Sequence, residues 1–503
     1  MTPEDTTPTR ELFELRNGRT ILSEDASEKM YLIKQAQPQA RADDSTGYEW
    51  ADMGVAELFG EIYRREARYC TEHKCWYVYD SGSWRRDVGS LRVAEKAKDF
   101  VRLMLLYCGE IENDDIRKKY TEFVNRMGDQ RVRARLIKDA ESTMLINAAE
   151  FDANPYLINC LNGTYNLKDY SFYPPRADDF CSMQTAFKHT PRRDVRCERW
   201  EQFIDEVCEG DKDKADFLQR ALGYSIIGRS NEACMFILHG RTTRNGKSTL
   251  LGAIERMMGD YSCTAPVGLI CKSRNDSDSA EAASPLLASL KGKRFVTLSE
   301  SNDYGKLDEE KIKLYTGGEQ ITARALYEKP VSFLPQFTMW LSCNDLPAVR
   351  DRSLFASERI RIVEFNRHFS QQEQDKNLAE VFNDDHNRSG IFMWLIRGYI
   401  EYTRRGLQMA EHLLKPVRQY EKDNDIVGMF LEACCEKDES LRIKASDLYK
   451  KYKYWCHQEG LMSLSAFKFY GEIERHPEWV QDKSMYCGSP TYWGLNIKNV
   501  TLK

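Results

Sequence analysis

The feature that most constrains this chain is a glycine-containing loop that ends in Gly-Lys-Ser-Thr, between an apolar run and a helical stretch. Residues 234–238 are continuously apolar, which favours a buried strand, and residues 250–258 have the pattern of a helix closed by Gly259. A strand, such a loop and a helix in this order are the context that a P-loop requires, because backbone N–H groups and the positive helix end hold a polyphosphate. The segment therefore predicts an α/β domain that binds a nucleoside triphosphate with Mg²⁺.

Each position of this loop has an expected role. Lys247 reaches the β- and γ-phosphates as a point charge, and the hydroxyl of Ser248 holds Mg²⁺. Five residues separate Gly240 from Gly246, one more than in the common P-loop. Asn245 and Gly246 both tolerate a positive φ, so the loop can wrap a phosphate with an extra residue at its apex. The predicted nucleotide-binding residues are Gly240, Arg244, Asn245, Gly246, Lys247, Ser248 and Thr249.

A candidate catalytic acid stands at the end of a strand-like run. Residues 294–299 have the pattern of a buried strand, and the carboxylate of Glu300 follows directly. An acid in the place of a Walker B carboxylate orients or deprotonates the attacking water or supports Mg²⁺. Because Ser299 stands where a second acid is common, the division between holding the metal and polarising the water is open. An acid that only caps a turn is the alternative interpretation.

Two more polar groups border strand patterns downstream. Asn344 follows the apolar run 337–343, where its amide is placed to hydrogen-bond a γ-phosphate or the lytic water. Arg359 precedes the run 360–365, and an arginine supplied by a neighbouring subunit stabilises charge on a transferred phosphoryl group. Ordinary surface polarity is the alternative for either residue. Three further arginines compete with Arg359 for this role: Arg350, Arg352 and Arg361.

The order of predicted elements divides the chain into four parts. Strand and helix patterns alternate between residues 199 and 364, which predicts an α/β domain with a mainly parallel sheet. The preceding part is mostly helical, and the polar first 45 residues lack periodicity apart from a short helical pattern near residues 29–35. The predicted domains are a flexible leader (1–45), a mainly helical N-terminal domain (46–198), an ATPase domain (199–425) and a C-terminal domain (426–503).

Five segments together resemble the superfamily 3 helicases, and most of all the primase-helicases of phages, plasmids and poxviruses. They are RNGKST (244–249), LKGKRFVTLSE (290–300), YTGGEQITAR (315–324), FTMWLSCND (337–345) and ERIRIVEF (358–365). The resemblance extends to KCWYVYDSGSW (74–84), NPYLINCLNGTYNL (154–167) and SDLYKKYKYWC (446–456). It implies an AAA+-like P-loop motor domain, a winged-helix-like C-terminal domain, a hexameric ring and 3′→5′ translocation on single-stranded DNA.

The same resemblance places DNA contacts on a hairpin that projects into the pore of the ring. Residues 321–333 read as two strands around a Tyr-Glu-Lys-Pro turn. Arg324 and Lys329 are the candidates for binding backbone phosphates, and Tyr327 is placed to stack on a base or to brace the hairpin. Without the family context, a lysine at a turn is more often simply solvated.

A helical pattern in the C-terminal part leaves two interpretations open. Residues 449–455 interleave three lysines with three tyrosines and a tryptophan. A basic, aromatic helix suits docking on duplex DNA in a winged helix. It equally suits a helix whose aromatic rings belong to the core while its lysines face water.

Composition removes several classes of protein. The 503 residues carry 73 Lys plus Arg and 78 Asp plus Glu, a net charge of −5, so any nucleic-acid contact must lie in a local patch or a pore. The chain opens without an apolar signal segment, and no apolar run approaches the ~20 residues of a membrane span. The 15 scattered cysteines favour a reducing, cytoplasmic compartment, which is the host cytoplasm if the chain is phage-encoded.

The motifs and the resemblance together imply an ATP-dependent DNA helicase of a phage, prophage or plasmid. Its expected partners are single- and double-stranded DNA and further copies of itself in a homo-hexamer. Asp-x-Asp pairs occur only in polar loops, so primer synthesis is expected of a separate primase, and a replication initiator is a further expected partner. The alternative is a DNA-stimulated AAA+ NTPase that acts as an origin initiator or loader without processive unwinding. A non-enzymatic origin-binding module with a structural nucleotide is the third possibility.

Overall fold

The N-terminal segment forms a hairpin and a helix in the computed structural model, which describes residues 12–16, 19–37, 50, 52–192, 194–272, 285–299, 306–324, 330–349 and 353–498. Strand β1 (Phe13–Arg16) pairs antiparallel with β2 (Arg19–Leu22), and helix α1 (Glu24–Ala36) follows. The expectation of a loose leader over residues 1–45 is therefore wrong where β1, β2 and the start of α1 form, whereas the short helical pattern near residues 29–35 falls inside α1. The reason is a helical spacing of apolar side chains, since Ala26, Met30 and Ile33 lie on one face of α1 and are buried.

Four helices and a small sheet share a core with this segment. Helix α3 packs against α1 and α4, and α2 packs against α5. The strand order β5-β4-β3-β6 forms a sheet beside the helices. The elements are α2 (Asp52–Tyr63), β3 (Ala67–Cys70), β4 (Cys75–Asp80), β5 (Ser83–Asp87), α3 (Leu91–Cys108), α4 (Asp114–Met127), α5 (Gln130–Ala140) and β6 (Leu145–Ile146).

A three-stranded meander connects the N-terminal part to the α/β domain that follows. Its strands are β7 (Leu157–Cys160), β8 (Gly163–Asn166) and β9 (Ser171–Tyr173), and β7 and β8 join the core of the α/β domain. The guanidinium of Arg294 is buried where the two parts meet, and it donates to the carbonyls of Leu157 (2.6 Å) and Ile226 (3.0 Å). A buried arginine stays charged only where such partners replace water, so these bonds fix the junction.

The α/β domain is built around five parallel strands in the order β11-β12-β15-β10-β16. Its sheet confirms the predicted α/β domain with a parallel sheet. Successive side chains of β10 enter opposite cores, Phe236 and Leu238 on the face of α8 and Met235 and Ile237 on the other face. The elements are α6 (Glu198–Cys208), α7 (Lys212–Tyr224), β10 (Met235–His239), α8 (Lys247–Met258), β11 (Ser262–Pro266), α9 (Pro285–Ser289), β12 (Phe295–Ser299), α10 (Glu309–Thr316), β13 (Ile321–Ala323), β14 (Val331–Phe333), β15 (Thr338–Cys343), α11 (Ser353–Ala356), β16 (Ile360–Glu364), α12 (Leu378–Val381), α13 (Asp385–Arg405) and α14 (Lys415–Asp423).

The C-terminal part has a core of its own. Three antiparallel strands in the order β17-β19-β18 pack against three helices. The ring of Tyr452 on α16 is fully buried and stacks on Phe469 with ring centroids 4.4 Å apart, whereas Tyr454 is exposed. The aromatic residues of α16 are therefore divided between core and surface. The elements are α15 (Ile426–Cys434), β17 (Cys435–Lys444), α16 (Ala445–Gln458), α17 (Ala466–Ile473), β18 (Asp482–Tyr486) and β19 (Ser489–Ile497).

Long apolar helices are the signature of membrane spans. Across the described ranges, no helix has both the length and the apolar character needed to cross a bilayer.

Candidate nucleotide-binding site

The glycine-containing loop connects the carboxyl end of β10 to the first residue of α8, as the sequence predicts. Residues Met235–Leu238 of β10 are buried, and α8 begins at Lys247. The N-cap residue of α8 is Gly246, which has no side chain to cap the helix. The helix dipole favours negative charge at this end of α8, where backbone N–H groups point toward the loop.

The extra residue of the loop is accommodated at Arg244. Arg244 has φ +58° and Gly246 has φ +89°, so these two residues take the left-handed conformation. Asn245, which the sequence pattern places in that conformation, instead uses its side chain, because its amide Nδ2 donates to the carbonyl of Thr242 at 2.6 Å. Asn245 is 4% exposed, and its side chain thus joins two parts of the loop by a hydrogen bond. A Cβ atom at Gly246 would stand 2.6 Å from Cγ1 of Val207 on α6, which is why glycine is needed there.

The ammonium of Lys247 lies inside the loop. It is 5% exposed, and its Nζ donates to the carbonyl of Gly240 (2.8 Å) and to Oδ1 of Asn344 (2.9 Å). Asn344 follows β15, which is the neighbour of β10, and His239 and Cys343 are partners in the parallel register. The structure therefore brings together two of the predicted site residues that are 97 positions apart in the chain.

A segment after β16 holds the apex of the loop from outside. The backbone N–H of Phe369 donates to the carbonyl of Arg244 at 2.9 Å, and Nδ1 of His368 lies 2.8 Å from the carbonyl of Thr243. The hydroxyl of Thr242 reaches the carbonyl of Arg367 at 3.5 Å. Sequence patterns did not reveal these residues, because they lie more than 120 positions from the loop and carry no motif.

Of the two candidates for binding Mg²⁺, the structure describes Ser248 only. Ser248 is exposed at the second position of α8, so its hydroxyl is open to a ligand. Glu300 lies outside the described residues and directly follows Ser299, the last residue of β12. Since β12 and β15 run parallel side by side, with Leu298 opposite Leu341, the chain leaves β12 at the edge where Asn344 stands. A hydroxyl and a carboxylate are oxygen donors of the type that Mg²⁺ prefers.

A histidine at the base of the loop was not predicted. His239 is the last residue of β10 and is the register partner of Glu364 on β16. Burial lowers the pKa of His239, the Glu364 carboxylate raises it, and the Lys247 ammonium lowers it further. The imidazole is thus biased to the neutral form beside a cationic loop. The signal that could have revealed it is its place at the end of the P-loop strand.

Arg359 lies at the opposite end of the sheet from the loop. Its carbonyl accepts from the N–H of Met235, the first residue of β10, and its guanidinium donates to the hydroxyl of Thr316 at 2.8 Å. The competing Arg361 is 9% exposed, and its guanidinium donates to the carbonyl of Leu407 at 2.6 Å. This side chain is therefore bonded inside the domain. Arg350 and Arg352 lie outside the described residues.

The predicted DNA-binding hairpin has its two strands in place. β13 and β14 pair antiparallel, with Ile321 opposite Phe333 and Ala323 opposite Val331. Arg324 follows β13 and is exposed. Tyr327 and Lys329 lie outside the described residues, so their place is a prediction only.

Three family models match the chain. The model described as "D5 N terminal like" covers residues 56–209, and the model described as "Poxvirus D5 protein-like" covers residues 422–490. Between them, a family of unknown function covers residues 238–361, which include the loop, Asn344 and Arg359.

Curated viral proteins are similar to the chain at low identity. A protein of Acanthamoeba polyphaga mimivirus with the name "Putative helicase" is 24% identical over 451 residues, which cover 81% of this chain and 46% of the relative. "Primase D5" of Fowlpox virus is 25% identical over 240 residues, 45% of this chain and 29% of the relative. The chain thus spans less than half the length of these relatives. Among solved structures, the C-terminal region of NrS-1 is 12% identical with a TM-score of 0.44, covering 85% of this chain and 95% of that one.

Proposed function

We propose that this chain, which belongs to the D5-like family of helicase- and primase-type replication proteins, is an ATP-hydrolysing motor that unwinds DNA. In this proposal the motor domain is AAA+-like, assembles as a hexameric ring and couples hydrolysis to movement along single-stranded DNA. The names of the viral relatives support the helicase reading, and the geometry of the loop supports hydrolysis.

The observation that carries the proposal is the contact between Lys247 and Asn344. A lysine in the loop, bonded to a polar side chain at the end of the neighbouring strand, places a positive charge and an amide around one small volume. A terminal phosphate bound at the N-terminal end of α8 would meet both groups there. Lys247 then neutralises charge on the transferred phosphoryl group, and Asn344 orients that group or the attacking water.

The residues at the mouth of the loop fit a nucleotide with Mg²⁺. We assign the metal to the Ser248 hydroxyl and to Glu300, and Glu300 is also the proposed base for the attacking water. When bound, Mg²⁺ supplies charge neutralisation across the β- and γ-phosphates. Gly240, Arg244, Asn245, Gly246 and Thr249 complete the proposed nucleotide contacts, and Arg359 is the proposed finger toward a neighbouring subunit.

The DNA contacts are assigned to two elements. The hairpin of β13 and β14, with Arg324, Tyr327 and Lys329, is the proposed pore element for single-stranded DNA. The element order α15-β17-α16-α17-β18-β19, with a three-stranded antiparallel sheet, supports a winged-helix-like fold for the C-terminal part. In that fold the proposed partner is double-stranded DNA.

Strand displacement on a tailed duplex tests the function. We expect ATP-dependent displacement by the purified oligomer and its loss in Lys247→Ala, while Lys376→Ala, an exposed lysine of the same domain, serves as the matched control. Hydrolysis that DNA stimulates without any displaced strand would overturn unwinding and favour an initiator or loader. Displacement that persists in Lys247→Ala would overturn the assignment of the site.

A further inference from the structure

An apolar cleft opens between helices of the N-terminal part, away from the nucleotide site. Its volume is about 190 Å³, and it lies between α2, α4 and α5. Trp50 and Phe123 form an aromatic wall, with ring planes 20° apart and centroids 6.1 Å apart. We call this space the N-terminal cleft, and it is lined by Trp50, Val55, Phe123, Met127, Val132 and Leu136, with Arg126.

A basic ridge runs beside the N-terminal cleft. On α5, Val132 and Leu136 line the cleft, and the residues just before each of them, Arg131 and Arg135, form the adjacent ridge and are exposed. Two like charges four residues apart destabilise a helix, so the stability of α5 does not explain why Arg131 and Arg135 are both present. Arg126 is exposed at the cleft itself.

The three arginines carry uncompensated charge. Within the described ranges, neither Arg126 nor Arg131 nor Arg135 forms an ion pair with an acidic side chain. By contrast, Lys138 on the same helix pairs with Glu141 at 2.7 Å. The cationic surface at the cleft is therefore available to an anionic partner.

A ligand with a flat apolar body and repeated negative charges matches both the aromatic wall and the basic ridge.

We propose that the N-terminal cleft and its basic ridge bind single-stranded DNA. One unstacked base enters the cleft against Phe123 and Trp50, and the flanking phosphates lie on Arg126, Arg131 and Arg135. A cleft of this volume admits a single base and excludes a duplex, which favours a single strand. The inference rests on the proposed function only in taking DNA as the partner, and it adds a second contact outside the motor domain.

Titration of a fluorescent 20-nucleotide oligo-dT at several salt concentrations tests the ridge. If Arg131 and Arg135 each contact a phosphate, the plot of log affinity against log salt should be less steep by about 1.4 for the double variant Arg131→Ala/Arg135→Ala than for the wild type. The affinity of the double variant at ~0.15 M salt should be about tenfold lower. The matched control is Lys118→Ala/Lys119→Ala, which removes two exposed charges from α4 and should change affinity much less. ATP hydrolysis without DNA should be equal in all three proteins, which verifies folding.

Binding of an abasic oligonucleotide of the same length tests the aromatic wall. The wild-type protein should bind the abasic strand at least about fivefold more weakly than oligo-dT, and Phe123→Leu should narrow that difference because the stacking ring is lost. Equal salt slopes and affinities for the ridge variant and its control would overturn the inference while leaving the proposed function intact. A wild-type protein that binds no single-stranded DNA would instead overturn the proposed function itself. Retained DNA binding with loss of a protein partner in the ridge variant would show that the cleft serves a protein.

Discussion

Replacing Gly246 by alanine tests whether the loop conformation itself creates the phosphate site. Gly246 has φ +89°, and a non-glycine residue in the left-handed region costs roughly 1–2 kcal/mol. The added Cβ would also stand 2.6 Å from Cγ1 of Val207, closer than real Cβ contacts allow. Overpacking of this kind costs about 1–3 kcal/mol, so the loop in its native shape becomes less favourable by about 2–5 kcal/mol in total.

Nucleotide affinity reports this change directly. Binding requires the native loop, and a binding-competent state that is less populated lowers the apparent affinity by the same factor. At 1.4 kcal/mol for each tenfold, Gly246→Ala should bind a fluorescent ATP analogue about 30-fold more weakly, or worse. Gly471→Ala is the matched control, because that glycine lies in α17 without a positive φ, and a Cβ added there would meet no described atom within 4 Å.

A second substitution separates the two causes. Val207→Ala removes the methyl groups that the new Cβ would meet, so it should recover the packing part of the loss and leave the backbone part. The double variant is therefore expected between Gly246→Ala and Val207→Ala in affinity. Affinity of Gly246→Ala within twofold of wild type would refute the argument. Complete recovery of nucleotide affinity in the double variant would refute only the backbone contribution and would leave the packing contribution in place.

Three other side chains offer tests of single contacts. Asn344→Ala should lower the rate of ATP hydrolysis at least about tenfold, because a hydrogen bond to a charged group is worth about 1.5–3 kcal/mol. The affinity for nucleotide should stay within a few-fold of wild type. Steady-state turnover measures the first effect and nucleotide titration the second. Arg359→Ala should abolish hydrolysis, and mixing it with Lys247→Ala should restore part of it, since each supplies what the other lacks across an interface; no recovery in the mixture would contradict a role in trans. Burial among aromatic rings lowers the pKa of His189 to about 4. The unfolded state then binds a proton that the folded state does not, so stability is full above pH 6.5 and falls toward pH 4, by about 2 kcal/mol at pH 5. Urea unfolding at pH 7 and pH 5 should show this loss in wild type and a smaller one in His189→Gln.

The main elements of the site were predictable because their signals are local. The apolar run into β10, the glycine-rich loop and the helical pattern after Lys247 lie within 25 residues, and each follows from side-chain periodicity. The end of β15 at Asn344 was predictable for the same reason. What brought Asn344 to Lys247 was the strand order, in which β15 is the neighbour of β10 and which local sequence does not encode.

The details of the loop required long-range contacts that no local pattern contains. Asn245 and Arg244 both tolerate the left-handed region to different degrees, and propensity favours asparagine. The structure places Arg244 there because its carbonyl accepts from Phe369 while the amide of Asn245 is used inside the loop. The hairpin and the start of α1 escaped prediction for a related reason, since the short apolar face of α1 is buried in a core that it shares with α2 and α3.

The direction of the parallel sheet decides how Arg359 can act. Arg359 precedes the five residues of β16, whose last residue, Glu364, lies beside the loop strand at His239. Five residues of a strand extend over about 16 Å, so the guanidinium and the loop of one subunit stand at opposite edges of the sheet. An arginine so placed cannot reach the phosphates bound by its own Lys247. If Arg359 completes a nucleotide site, that site belongs to another copy of the chain, and hydrolysis must then rise with assembly.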